Sequence, residues 1–421
     1  MYLAARATPM KNAQSADGRS APTGLRAIPK SIWALGFVSL FMDTSSELVH
    51  SLLPVFLVSV LGASALSVGL IEGVAEATAA ITKVFSGTLS DYLGKRKLLA
   101  VIGYGLAAVS KPLFPLAGSV AWIFTARFID RIGKGIRGAP RDALIGELAP
   151  SHLRGACYGL RQSLDTVGAF AGPLLAVAFM VLLANDIQAV FWIAVIPAFI
   201  SVAILIFAVK EPATARSPDE AHSPIRFQDL RHIGAAYWWL VLIGAVLAVA
   251  RFSEAFLVLR AENVGLAIAL VPIVFVVMNV VYAASAYPAG TLSDRMDRRI
   301  ILAVGFAVLI AADAILALAT GIWLVMAGTV LWGLHMGLTQ GLLAAMVADT
   351  TPPRIRGTAF GIYNLVTGVA LLGGNLVAGL LWDHYGPSST FFAGAGITAI
   401  ALAGLITLQG SGHSLRTRDE K

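Results

Sequence analysis

Three residues in the first apolar run, Asp43, Glu47 and His50, are spaced at i, i+4 and i+7, so on a helix they share one face. Ser46 lies on that face as well, and Pro54 stands just beyond it. Two carboxyls and an imidazole in a row can hand a proton along, and the same groups are competent ligands for a divalent cation. The surrounding run is apolar enough to lie in a bilayer, where charge is costly and usually faces a protein interior or a watery cavity. The spacing predicts a hydrophilic path along one side of this helix, with both chemistries open.

Other charges recur at helical spacing. Glu72 and Glu76 stand at i, i+4, with Lys83 seven residues further. Arg127, Arg131, Lys134 and Arg141 line up in "ARFIDRIGKGIRGAPRDAL", with Arg137, Asp130 and Asp142 between them, and Arg161 and Asp165 are again four apart. The bases of this half are Lys83, Lys111, Arg127, Arg131, Lys134, Arg137, Arg141 and Arg161. Against them stand as many acids: Asp43, Glu47, Glu72, Glu76, Asp130, Asp142, Glu147 and Asp165. Such a balance predicts a paired network for many of them. The second half is sparser, with Arg251, Glu254, Asp313 and His335, and the neutral Asn279, Gln340, Asn364 and Asn375.

The elements that carry these groups follow from composition. Hydrophobic residues fill 57% of the 421 positions and charged residues 13%, and mean hydropathy is +0.78; ordinary soluble domains are about a quarter charged. Crossing the hydrocarbon core takes roughly 20 apolar residues. Twelve such runs begin near residues 32, 66, 98, 120, 156, 187, 237, 265, 300, 321, 357 and 388. With twelve spans both termini share a side, and the segments on that side hold 21 of the 31 basic residues. Positive-inside bias makes that side cytoplasmic. The net charge of +7 is thereby an orientation signal rather than a nucleic-acid footprint. A single cysteine, Cys157, excludes an intrachain disulfide or a cysteine metal cluster. The first run is too long and wrongly flanked for a cleaved signal peptide.

The chain also repeats itself. "GTLSDYLGKRKLLAVIGY" from Gly87 recurs as "GTLSDRMDRRIILAVGF" from Gly290, and "ELAPSHLRG" from Glu147 recurs as "DTTPPRIRG" from Asp349, at offsets of 203 and 202 residues. Two six-span halves place a substrate site near the midplane between them. The boundaries read from the runs are a disordered tail over 1–30, a six-helix bundle over 31–209, a linker over 210–236, a second bundle over 237–409 and a tail over 410–421.

"GTLSDYLGKRK" resembles the signature loop of the major facilitator superfamily, G-x-L-x-D-x-x-G-[RK]-[RK], and "VGAFAGPLLA" is similar to the G-x-x-x-G-P motif of the fifth helix in the family's exporters, here Gly168, Gly172 and Pro173. The second loop copy departs where Asp297 replaces a glycine. The fourth-helix signature keeps Arg127 but has Asp130 and Arg131 where the family has glutamine and glycine. The resemblance spans about residues 32–408. It implies an all-α membrane fold of twelve helices in two pseudo-symmetric bundles, with helices 1, 4, 7 and 10 lining the cavity. Asp43, Glu47, His50, Arg131, Lys134, Arg251, Glu254 and His335 sit on those helices. With Glu72, Glu76 and Arg127 they are the expected cavity and proton-coupling groups. Gly87, Asp91, Gly94, Lys95, Arg96, Asp294, Arg295 and Arg298 are the expected cytoplasmic gate, with glycines for close approach and a tight turn and Asp91 at a helix end.

Other chemistries fit poorly. "RIGKGIRG" lacks the first glycine and the serine or threonine of a phosphate loop, and there is no H-E-x-x-H. The expectation is a non-enzymatic, cofactor-free, monomeric transporter of a small molecule in the plasma (inner) membrane, proton-coupled and directed outward. A divalent metal or chelate exporter and a non-transporting receptor on the same fold are the alternatives. The basic stripe of the fourth span favours an anionic or zwitterionic substrate, the acid–histidine face a cation, and the exporter motif a lipophilic drug.

Overall fold

The computed structural model describes residues 27–210, 234–293, 295–352 and 355–416. Asp294 lies outside them, as do most of the expected N-terminal tail and linker, and the side chain of Asp91 is likewise outside. The described residues are helical throughout, without a strand. The first bundle comprises α1 (Lys30–Val55), α2 (Ala65–Leu93), α3 (Arg96–Ser110), α4 (Val120–Leu148), α5 (Arg154–Leu182) and α6 (Ile187–Ala208). The second comprises α7 (Ala235–Ala250), α8 (Ala255–Asn263), α9 (Ile273–Ser293), α10 (Arg298–Leu318), α11 (Ile322–Asp349), α12 (Arg356–Tyr385) and α13 (Pro387–Arg416). The last helix thus runs past residue 410, where the tail was expected to begin.

Local chemistry sets the helix ends. Ser64, Ser119 and Asp186 accept backbone N–H bonds from the first turns of α2, α4 and α6, satisfying donors that a helix start leaves free. Gly94 closes α2 in the left-handed conformation, φ +62°, as the tight turn in the signature loop requires. Ten helical stretches are long and apolar enough to cross a membrane on their own. α3, with 15 residues, and α4, with its charges, are the two spans outside that set.

The seventh predicted span is not one helix. α7 stops at Ala250 and α8 starts at Ala255, leaving Arg251–Glu254 as an unwound corner. Asn375 on α12 holds it open: its Oδ1 accepts the Ser253 N–H at 2.7 Å. The freed backbone donor is satisfied by a neighbouring helix, as irregular backbone at membrane depth demands.

The bundles meet along α2 and α12. A methyl group on Gly69 would stand 2.2 Å from the Asn375 carbonyl oxygen, and one on Gly379 would stand 2.5 Å from Leu66 Cα. At the end remote from the basic loops this seam is clamped. Asp383, on α12, accepts the Ala65 and Leu66 N–H groups that open α2, both at 2.9 Å. Ser59 donates to the Glu262 carboxylate beside it. The remote end is therefore closed by contacts between the two halves.

Candidate functional site

The charged face of α1 is positioned by α5. A methyl on Gly168 would lie 2.5 Å from the Leu40 carbonyl oxygen, and one on Gly172 2.8 Å from both Glu47 Cβ and the Thr44 carbonyl. The G-x-x-x-G spacing lets the two backbones touch and fixes the height of Asp43 and Glu47. On the opposite side, the Ser45 and Ser201 hydroxyls donate to Ala194 and Val38 carbonyls at 2.6 and 2.7 Å, seating α1 against α6.

From this base an ion-pair network crosses the first bundle. His50 lies between Glu47 (Nδ1–Oε2 3.3 Å) and Glu72 (Nε2–Oε2 3.4 Å). Glu72 also takes Arg127 at 2.9 Å, and Glu76 takes Arg131 at 3.3 Å. The Lys111 ammonium donates to Asp130 at 2.8 Å and to Ser46 Oγ at 3.1 Å. Asp43 pairs with Arg137 at 3.6 Å, whose guanidinium lies over the Tyr104 ring. Asp165 on α5 lines the same space as Asp43 and is bonded to Arg161 at 2.6 Å. In the second bundle Arg251 and Glu254 pair at 3.6 Å across the unwound corner. His50 meets the other half directly, its ring 5.0 Å from that of Phe275.

Between the bundles lies a cavity of about 670 Å³ that reaches toward the basic end, where Lys83, Arg141 and Phe360 line it. It joins a deeper chamber of about 230 Å³ through the shared residues Glu47, Glu76, Lys134 and Arg251. Small-molecule sites fall in this size range. Asp43 faces the outer part; His50, Glu72, Arg131 and Glu254 face the chamber.

Two predicted cavity residues line neither space. Arg127 is sequestered behind Glu72, 1% exposed. His335 is fully buried against α10, its Nδ1 at 2.8 Å from the Gly305 carbonyl oxygen. Conversely, the walls include Lys83, Arg137, Arg161, Asp165, Tyr363 and Asn364, from α2, α4, α5 and α12. The i, i+4 spacing of Arg161 and Asp165 is the signal in the sequence that marks this polar face of α5. Asp43, Glu47 and His50 do not converge on one point, and no trio of His, Cys, Asp or Glu among the described residues is placed to hold a metal.

Of the gate residues, Gly87 makes only ordinary contact, since a methyl there would lie 3.5 Å from Ala139 Cβ. Lys95 is exposed and stands at the N-cap position of α3 without a side-chain capping bond, and Arg295 is exposed. Arg96 pairs with Glu147 at 2.9 Å, and Arg298 pairs with Asp349. Glu147 and Asp349 are equivalent in the two repeats, and Arg298 follows Asp297 where Lys95 follows Gly94, one position before the equivalent of Arg96. In both halves an ion pair thus ties the signature loop to the end of the helix that precedes the next repeated turn.

A family model described as Major Facilitator Superfamily matches residues 35–260 and 240–420. The chain belongs to the Major Facilitator Superfamily. Within it, an MFS-type transporter of Methanocaldococcus jannaschii is 32% identical over 91% of this chain and 95% of its own length. The quinolone resistance protein NorA of Staphylococcus aureus is 30% identical, over 34% of this chain and 37% of its own. A POT family transporter solved with a thioalcohol-conjugated peptide superposes with a TM-score of 0.77 at 12% identity, covering 93% of this chain and 98% of that one. This last likeness establishes the major facilitator fold: two bundles of membrane-spanning helices around a central cavity.

Proposed function

We propose that this superfamily member is a secondary active carrier that exports a small solute by alternating access in exchange for protons. The observation that carries this reading is the cavity between the bundles, closed at one end by inter-bundle bonds and walled by titratable groups at mid-depth. The positive-inside pattern orients the open, basic end to the cytoplasm, with both termini there, in the plasma membrane. Asp43 on α1 and Asp165 on α5 line the same space and offer a place to hold one proton between two helices. Export is supported by the exporter motif at Gly168, Gly172 and Pro173, and by the partial likeness to a quinolone resistance protein. Coupling then assigns Asp43, with Glu47 and His50 behind it, to the proton. Gly87, Asp91, Gly94, Lys95 and Arg96, with Asp294, Arg295 and Arg298, serve the cytoplasmic gate.

Export of a divalent metal has less support, because Glu47 and His50 are engaged with each other and Asp43 is turned to Arg137. The test is flux from sealed proteoliposomes under an imposed pH gradient. Flux that is abolished by an uncoupler is the expected result. Binding without any flux would instead make the protein a receptor.

A further inference from the structure

The charges that line the cavity are not evenly neutralised. Each acid on its wall has a cationic partner: Asp43 has Arg137, Glu47 has His50, Glu76 has Arg131 and Asp165 has Arg161. Two of the bases are likewise spoken for, Arg141 by Asp142 and Arg251 by Glu254. Lys83 and Lys134 remain. Both line the cavity and are exposed to it. Neither has a carboxylate within 4.0 Å or a hydrogen-bond acceptor among the described residues, whereas Lys111 on the same bundle has both. Both lie at the same stretch of α4: the Lys83 stem crosses the bare backbone of Gly138, where a methyl would sit 3.8 Å from its Cε, and Lys134 is one turn before Gly138 on α4. The cavity thus holds two ammonium groups, Lys83 and Lys134, with no carboxylate in direct contact among the described residues.

The second bundle brings one acid and one base to these walls, Glu254 and Arg251, and they pair with each other. The rest of its share of the outer wall is Gln340, Asn364 and Tyr363, neutral hydrogen-bonding groups, among apolar Leu247, Leu343 and Phe360. A solute that complements both walls has an acidic group at one end and an uncharged, partly apolar body.

We propose that Lys134 and Lys83 form an anion subsite and that the solute carried is a small organic acid, a carboxylate or a phosphate ester. This rests on the carrier reading for transport, but not for binding. Ammonium to carboxylate or phosphate is a charge-assisted contact, roughly twice as strong as a neutral one. The same two lysines would repel the cationic amphiphiles that many drug exporters must accept.

The experiment uses the full chain purified in nanodiscs. Four probes share one phenyl-ethyl skeleton: phenylacetate, phenethyl phosphate, phenethylammonium and phenethyl alcohol. Binding is read by thermal stabilisation and equilibrium dialysis in wild type, Lys134→Gln, Lys83→Gln and Lys134→Arg. At least one of the two anions is expected to bind and to lose about tenfold in affinity in each glutamine variant, with Lys134→Arg close to wild type. A folding defect would be visible as a lowered unfolding temperature without ligand, and the arginine variant controls for it. Binding of phenethylammonium in preference to both anions, binding of neither anion, or anion binding indifferent to both glutamine variants would overturn the subsite. Counterflow of the bound probe in proteoliposomes separates the two readings. Anion binding without exchange keeps the subsite and removes the carrier, whereas exchange of the cation alone keeps the carrier and removes the subsite.

Discussion

Arg127 sits at membrane depth, 1% exposed, and Glu72 is its one carboxylate partner within 4.0 Å among the described residues. Deleting one partner of a buried pair leaves the other charge stranded and costs about 3–5 kcal/mol. Glu72→Gln is therefore expected to lower the unfolding temperature of the purified protein sharply. Glu76→Gln should cost less, because the Glu76 side chain is 36% exposed and Arg131 keeps a second carboxylate, Asp130, at 4.0 Å. Differential scanning fluorimetry of both variants would rank them, and equal losses would contradict the burial argument. Asp43 belongs to the other category, a group placed to change state. Asp43→Asn should abolish flux driven by a pH gradient while sparing counterflow exchange, and Asp165→Asn should do the same if the two carboxyls hold one proton. The α1 face was legible from its i, i+4, i+7 spacing because helical periodicity maps directly onto geometry. His335 was not: an imidazole bonded to a neighbouring backbone and one facing a cavity look identical in a sequence. Lys83 and Arg161 were missed as cavity residues for a related reason, since charge at helical spacing says which face is polar but not what that face meets.

At the level of helices, α1 and α5 are held together by the absence of side chains. Gly172→Leu would have to displace Glu47 and the Thr44 carbonyl, both 2.8 Å from the first added carbon. Overpacking of this kind costs typically about 1–3 kcal/mol, and here it also shifts the groups that line the cavity. A loss of both stability and transport is expected, measured by unfolding temperature and initial flux, with Gly105→Ala, where a methyl meets nothing within 4 Å, as the silent comparison. The unwound corner invites a second test. Asn375→Ala leaves the Ser253 N–H without its partner, a penalty of about 1–3 kcal/mol, so hydrogen exchange should accelerate across Arg251–Glu254 ahead of the rest of α7. Most helices were readable in advance, because an apolar run of sufficient length bounded by capping residues leaves few alternatives. The corner was not readable, since no proline or glycine interrupts the run from Ala235 to Asn263 except Gly244, seven residues earlier than Arg251. What breaks the helix is a side chain 122 residues away.

On the scale of the whole molecule, Asp383 joins the halves at the closed end by capping a helix that belongs to the other bundle. An N-cap is worth about 0.5–2 kcal/mol, enough to move a two-state population several-fold. Asp383→Ala should therefore shift the protein toward the state open to the outside. A cysteine in place of Met278, in a chain lacking Cys157, reports on this from the deep chamber; its labelling by an external impermeant maleimide should rise, and unchanged labelling would make the cap a local feature of α2. The asymmetry between the halves has one more consequence, and it concerns synthesis rather than transport. Every span of the second bundle is apolar enough to enter a bilayer alone, so those helices can leave the insertion machinery in turn. α4 cannot, because a charge at the centre of a lone helix costs about 2.5–3.5 kcal/mol and α4 carries Arg127, Asp130 and Arg131 together. Its counter-charges are Glu72 and Glu76 on α2 and Lys111 at the end of α3, all made before it. The ribosome thus delivers the partners first, and α4 can enter lipid only by pairing with helices already beside it.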